Sequence, residues 1–202
     1  MPKLVDVEEK RTEIAFATWA VIAQRGLHAA TLRAVATEAG ISLGAVQHYF
    51  DSKEALLLYA CQRMADLAGA QWAATVTSSE AREQLTALAH TSLTDNPLQR
   101  VGMAAWNAFV GQAAGDAAMA QVVRNIWAGA HDQATELWHA ALPAPLAGGH
   151  RVVDAATVAE TFQALLDGLN ARVFAGRLTF DQARSLADQF LEEYLGPVLP
   201  PA

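Results

Sequence analysis

Apolar residues recur at three- and four-residue spacing along nearly the whole chain, the period of helices that bury one face. No stretch alternates apolar and polar positions for long enough to read as a strand. The pattern predicts an all-α fold of about nine helices. A first helix from about Val7 to Arg25 sets Ile14, Ala17, Val21 and Ile22 on one side, with Gly26 as its stop. Thr31 is suited to cap a short helix reaching about Ala39, which buries Leu32, Val35 and Ala36. A long helix runs from Ser52 to about Val76, and others fall near 80–93, 97–114, 116–142 and 154–175. Pro97 fits a first-turn position. "PAPLAGGH", residues 143–150, reads as a loop. The last helix opens on a capping box, Thr179 with Gln182 three residues on.

One interval breaks the rhythm of long helices. In "GISLGAVQHYFDSKEALL", residues 40–57, Gly40 closes one run, Ser42 can open a second and Ser52 a third. The middle helix is barely two turns long, too short to stand alone. Val46 and Phe50 share a face and can bury together. Leu43, Ala45, Gln47 and His48 are then left pointing away from the core. Two short helices joined by a tight glycine turn form a helix-turn-helix, whose second helix enters the major groove of DNA. Gln47 can pair with adenine, and Leu43 or Ala45 can touch a thymine methyl. Gly44 permits close backbone approach. Tyr49 and Lys53 can hold phosphate oxygens.

Charge qualifies this picture. The chain of 202 residues carries a net charge of -7, which argues mildly against a nucleic-acid binder. The first 56 residues are close to neutral, with Lys3, Lys10, Arg11, Arg25, Arg33 and Lys53 against Asp6, Glu8, Glu9, Glu13, Glu38, Asp51 and Glu54. Most of the acidity lies beyond them, so these few bases have to be focused on one face to attract phosphate. At 52% apolar and 17% charged the composition is that of a soluble globular protein. No segment resembles a signal peptide or a membrane span, and a cytoplasmic location is expected. Cys61 is the single cysteine, which excludes an internal disulfide and a cysteine zinc cluster.

The stretch 11–57 resembles the DNA-binding domain of the TetR family of transcriptional repressors. The likeness is carried by Ile14, Ala17, Gly26, Thr31, Val35, Ala36, Gly40, Ser42, Gly44, Phe50 and Lys53 at fixed spacing. It implies DNA contacts at Thr31, Arg33, Leu43, Gly44, Ala45, Gln47, His48, Tyr49 and Lys53, with Ser42 at the head of the probe. The family usually carries Tyr where Gln47 stands, and often His where Tyr49 stands. "HYF" at 48–50 and "LLDGLNAR" at 165–172 are similar to the branch that contains choline-sensing betaine regulators.

The resemblance further implies that residues 1–51 bind a double-stranded operator, and that 52–202 dimerise and bind a small-molecule effector. The candidate effector lining is Met103, Trp106, Asn107, Trp127, His131, Phe162, Gln163, Leu166, Asp167 and Asn170, largely apolar with a few polar handles. An aromatic box of this kind suits a quaternary ammonium; the rings also suit a plain core. Apolar stripes at Leu169 and Val173, and at Ala183, Ala187, Phe190 and Tyr194, offer a homodimer seam. Asp132, Glu136 and His139 share a helical face but lack a fourth ligand, so no metal is expected. No phosphate loop, dinucleotide fingerprint or catalytic triad order is present, and no cofactor or enzyme activity is expected. Ser42 lacks the strand and the second glycine spacing of a nucleophile elbow. Two rivals remain: a helical enzyme or ligand carrier whose start only resembles a DNA-binding unit, and a sequence-blind DNA architectural protein. The second is usually strongly basic, which this chain is not.

Overall fold

The computed structural model describes residues 4–75, 80–142 and 154–196. Those residues form α1 (Leu4–Arg25), α2 (Leu32–Glu38), α3 (Leu43–Tyr49), α4 (Lys53–Thr75), α5 (Ala81–Ser92), α6 (Pro97–Ala113), α7 (Ala117–Ala141), α8 (Ala155–Phe174) and α9 (Phe180–Leu195). They contain no strand, so the all-α expectation of about nine helices holds. A short 3₁₀ turn at Leu27–Ala29, which the hydrophobic period does not announce, joins α1 to α2. The expected loop at 143–150 lies outside the described residues.

Helix ends follow the capping chemistry of the sequence. Oxygens of Thr31, Ser42 and Ser52 accept from Ala34 N, Ala45 N and Ala55 N, each at 3.1 Å. Pro97 occupies the first turn of α6 behind the Asn96 cap. The capping box at Thr179 is complete, with the Gln182 side chain accepting from Thr179 N at 2.9 Å. Gly26 and Gly40 both take left-handed backbone, with φ of 80° and 67°, which a β-carbon would strain.

The helices gather into two compact units, Met1–Gln71 with Asn96–Ile126, and Trp72–Asp95 with Trp127–Ala202. Residue 52, the boundary expected from sequence, falls inside the first. Ile14, Val21, Val35, Val46, Phe50, Leu56 and Phe109 are buried in the first unit's core. Val46 and Phe50 therefore seat α3 on its neighbours, and Trp19 Nε1 donates to Ala60 O at 3.0 Å to tie α1 to α4. The second unit is built on Leu85, Leu93, Trp138, Phe162, Leu169, Ala183, Ala187 and Leu191. Within it Trp138 meets Phe162 edge-on at 5.5 Å, and Phe162 stacks on Phe190 at 5.6 Å. No described helix is long and apolar enough to cross a membrane.

Candidate nucleic-acid interface

A tight turn presents the short helix. Ile41 N donates to Ala36 O at 3.0 Å and Gly40 N to Thr37 O at 3.2 Å, folding the chain back between α2 and α3. Ser42 then caps α3, which is seven residues long. Val46 is fully buried and Phe50 is 2% exposed. On the outer side Ser42, Gly44, Gln47 and His48 are exposed, and Leu43, Ala45 and Tyr49 are half-buried. Thr31 and Arg33 on the preceding segment are exposed as well. The short helix thus takes its stability from beneath and keeps one polar surface open.

Three side chains refine that surface. Gln47 makes no hydrogen bond within the described chain, so its amide is available. A methyl group on Gly44 would meet only Ser42 Oγ, at 3.9 Å, an ordinary contact. Nothing inside the protein therefore demands glycine there. Lys53 sits at the start of α4, where its Nζ donates to His28 O at 3.0 Å, so its charge is held beside the 3₁₀ turn. The helix α3 itself carries no Lys, Arg, Asp or Glu. The His48 and Tyr49 rings meet edge to face, with centroids 5.0 Å apart.

The expected effector lining divides between the two units. Met103, Trp106 and Asn107 belong to the first, half-buried on α6, with Trp106 packed against its core. The other seven belong to the second. Trp127 is 39% exposed there, while Phe162 and Leu166 lie in the core. Gln163 and Asp167 are half-buried. His131 Nδ1 stands 3.1 Å from Glu160 Oε2, an ion-pair separation without hydrogen-bond alignment. Asn170 is 1% exposed; its amide donates to Leu166 O at 3.2 Å and its Oδ1 is buried without a partner. Of the expected seam, Leu169, Ala183 and Ala187 are buried within the single chain. Val173, Phe190 and Tyr194 are partly covered by the same core. The large apolar side chains those helices leave exposed are Phe174 and Leu186, neither singled out by the stripes. Among the described residues no three His, Cys, Asp or Glu side chains are arranged to hold a metal. Cys61 is buried, and burial pushes its thiol up to about 12, an unreactive state.

Sequence reading missed Arg11. Its guanidinium lies 4.2 Å over the Tyr59 ring and 5.2 Å from that of Phe50. Only its place one turn before Ile14 could have pointed to a residue facing the unit's interior.

A capped turn that presents a short, open second helix defines a helix-turn-helix DNA-binding protein. Known proteins extend this to the whole chain. The model for bacterial regulatory proteins of the tetR family matches residues 14–60, and that for the C-terminal part of BetI-type transcriptional repressors matches 81–196. The HTH-type transcriptional regulator BetI of Burkholderia mallei is 31% identical over 205 residues, covering 98% of this chain and 99% of that protein. PksA of Bacillus subtilis, another HTH-type transcriptional regulator, is 52% identical over 60 residues, which are 30% of this chain and 29% of that protein. Among solved structures, a TetR-family regulator from Rhodococcus sp. matches with TM-score 0.81 and 26% identity, over 93% of this chain and 99% of that one. A regulator from Saccharomonospora viridis, in complex with choline, matches with TM-score 0.79 and 25% identity, over 92% and 96%. The chain belongs to the TetR family of transcriptional regulators.

Proposed function

We propose that this regulator is a repressor that grips a pseudo-palindromic operator as a homodimer and is released by a small organic cation. The observation that carries the operator reading is the outer face of α3. Gln47 is exposed there with its amide free, beside a glycine that no neighbour inside the protein requires. A side chain that can pair with adenine and a backbone open to close approach are what major-groove reading needs. Residues 1–51 serve DNA, and 52–202 serve dimerisation and the effector, in the cytoplasm. Half-sites about 34–36 Å apart require two copies held at fixed spacing. An effector that binds the DNA-incompetent state better then lowers operator affinity by linkage.

The effector class is supported by the BetI-type match over 81–196 and by the choline held in the Saccharomonospora viridis relative. On this chain, the buried and unpartnered Asn170 Oδ1 can accept from a ligand hydroxyl. Selection of duplexes from a random pool, with and without choline, tests both parts. Enrichment of one pseudo-palindrome, weakened by choline and not by the neutral isostere with carbon in place of nitrogen, is the expected result. Enrichment without any ligand response would keep the operator and refute the cation. No enrichment would refute the operator reading.

A further inference from the structure

The joint between α1, the end of α3 and α4 is made by Arg11, Phe50 and Tyr59, one side chain from each. Phe50 ends α3, 2% exposed, with its backbone N–H on Val46 O. Its ring lies 5.3 Å from that of Tyr59 on α4. The Arg11 guanidinium from α1 closes over both, 4.2 Å from Tyr59 and 5.2 Å from Phe50. Arg11 Nε is buried and has no hydrogen-bond partner, so the rings are the principal hold on that cation. Around it, Tyr59 Oη donates to Glu8 Oε1 at 2.7 Å, and Arg63 Nε donates to Thr12 Oγ1 at 3.0 Å. Glu8 Oε2 stands 3.9 Å from Arg11 Nη1.

We infer that Arg11 is a positioning residue for DNA recognition: stacked on Phe50 and Tyr59, it fixes the angle at which α3 is offered to the groove. The inference rests on the reading of α3 as the operator probe. Removing the planar cation leaves α3 capped and its outer residues unchanged, but frees Phe50 to shift against α4. A free protein that samples several helix angles binds its operator more weakly by the fraction it spends in the competent one. Non-specific binding, which depends on phosphate charge alone, tolerates that spread.

The test uses the full chain as wild type, Arg11→Met and Arg11→Lys. The probes are a duplex enriched by wild type from a random pool and an unrelated duplex of equal length. Arg11→Met should lose about tenfold on the enriched duplex, with little change on the unrelated one, an unaltered salt slope and a nearly unaltered melting midpoint. Arg11→Lys, a cation without the flat stacking plane, should recover part of the loss. If Arg11→Met does not fold, Tyr59→Leu asks the same question by removing the ring beneath the guanidinium. A salt slope lower by about one unit would make Arg11 a phosphate contact instead. An unchanged preference, or a loss that only follows lost stability, would also overturn the role. Failure of wild type to enrich any duplex would bring down the operator reading and this role with it; the other results leave that reading standing.

Discussion

Gly44→Ala separates folding from function more sharply than any other change to the probe. Gly44 lies in the first turn of α3, and its φ is not among the left-handed values found at Gly26, Gly40, Gly176 and Gly196. An alanine there keeps relaxed helical backbone. Its methyl group would approach nothing closer than Ser42 Oγ, 3.9 Å away. The substitution also removes the entropy that glycine loses on entering a helix, worth up to about 1 kcal/mol. For a chain of this size that raises the melting midpoint by roughly 1–4 °C. Stability should therefore rise slightly or stay level.

Operator affinity should move the other way. A methyl group at a point where backbone and DNA meet pushes the two apart and weakens the hydrogen bonds on either side. A loss of about tenfold corresponds to only 1.4 kcal/mol, about one good contact. The assay pairs a thermal melt with fluorescence anisotropy on the duplex enriched by wild type. A variant that melts at or above the wild-type midpoint and binds at least tenfold more weakly supports close approach. Unchanged affinity would refute it, and a lowered midpoint would show that the space around Gly44 has been misjudged.

Gln47→Ala should cost about 1–3 kcal/mol on the operator, roughly 5- to 150-fold, and relax specificity at one base pair, read from a panel of single-base variants. Lys53→Ala, which removes a charge held beside His28, should weaken all duplexes alike and lower the salt slope by about one unit; equal, sequence-blind losses from both variants would remove Gln47 as a base reader. Leu186→Asp, at a side chain 41% exposed on α9, should shift sedimentation toward monomer while the melt stays intact, and a dimer of unchanged mass would place the seam elsewhere. Phe190→Ala should instead destabilise the second unit by about 3–4 kcal/mol, because the ring stacks on buried Phe162. The Asp116 carboxyl is held below the usual range first by the Met119 backbone N–H and further by Gln112 and the Ala118 N–H, despite some opposing burial. Its contribution to stability is therefore complete above the ordinary carboxylate pKa of about 4 and is lost as pH falls below it. Asp116→Asn should lessen the fall of the melting midpoint in acid, and an unchanged fall would rule the Asp116 carboxyl out as its source.

What the sequence made legible follows from which interactions are local. The caps at Thr31, Ser42 and Thr179 each reach a backbone N–H three residues on, so spacing alone exposes them. The open face of α3 was legible for the same reason, since Val46 and Phe50 fix its buried side within one turn. The stripe on α9 was harder. Periodicity finds Ala183, Ala187, Phe190 and Tyr194 on one side but cannot say whether that side meets its own chain or a second copy. The structure puts Ala183 and Ala187 at 0% exposed within one chain, and Phe190 and Tyr194 against Trp138, at 6.0 and 5.9 Å. Amphipathic spacing marks burial and leaves the partner unnamed. The lock around Arg11 was the least visible. It joins residues 39 to 51 positions apart in sequence through a cation on two rings and one phenol on a carboxylate, and no local pattern registers such contacts. In a helix-turn-helix whose reading helix is seven residues long, those distant contacts decide how firmly the exposed side chains are aimed. The residues proposed to read DNA and the residue proposed to aim them are therefore found by different rules, the first from spacing and the second only once the fold has brought α1 and α4 together.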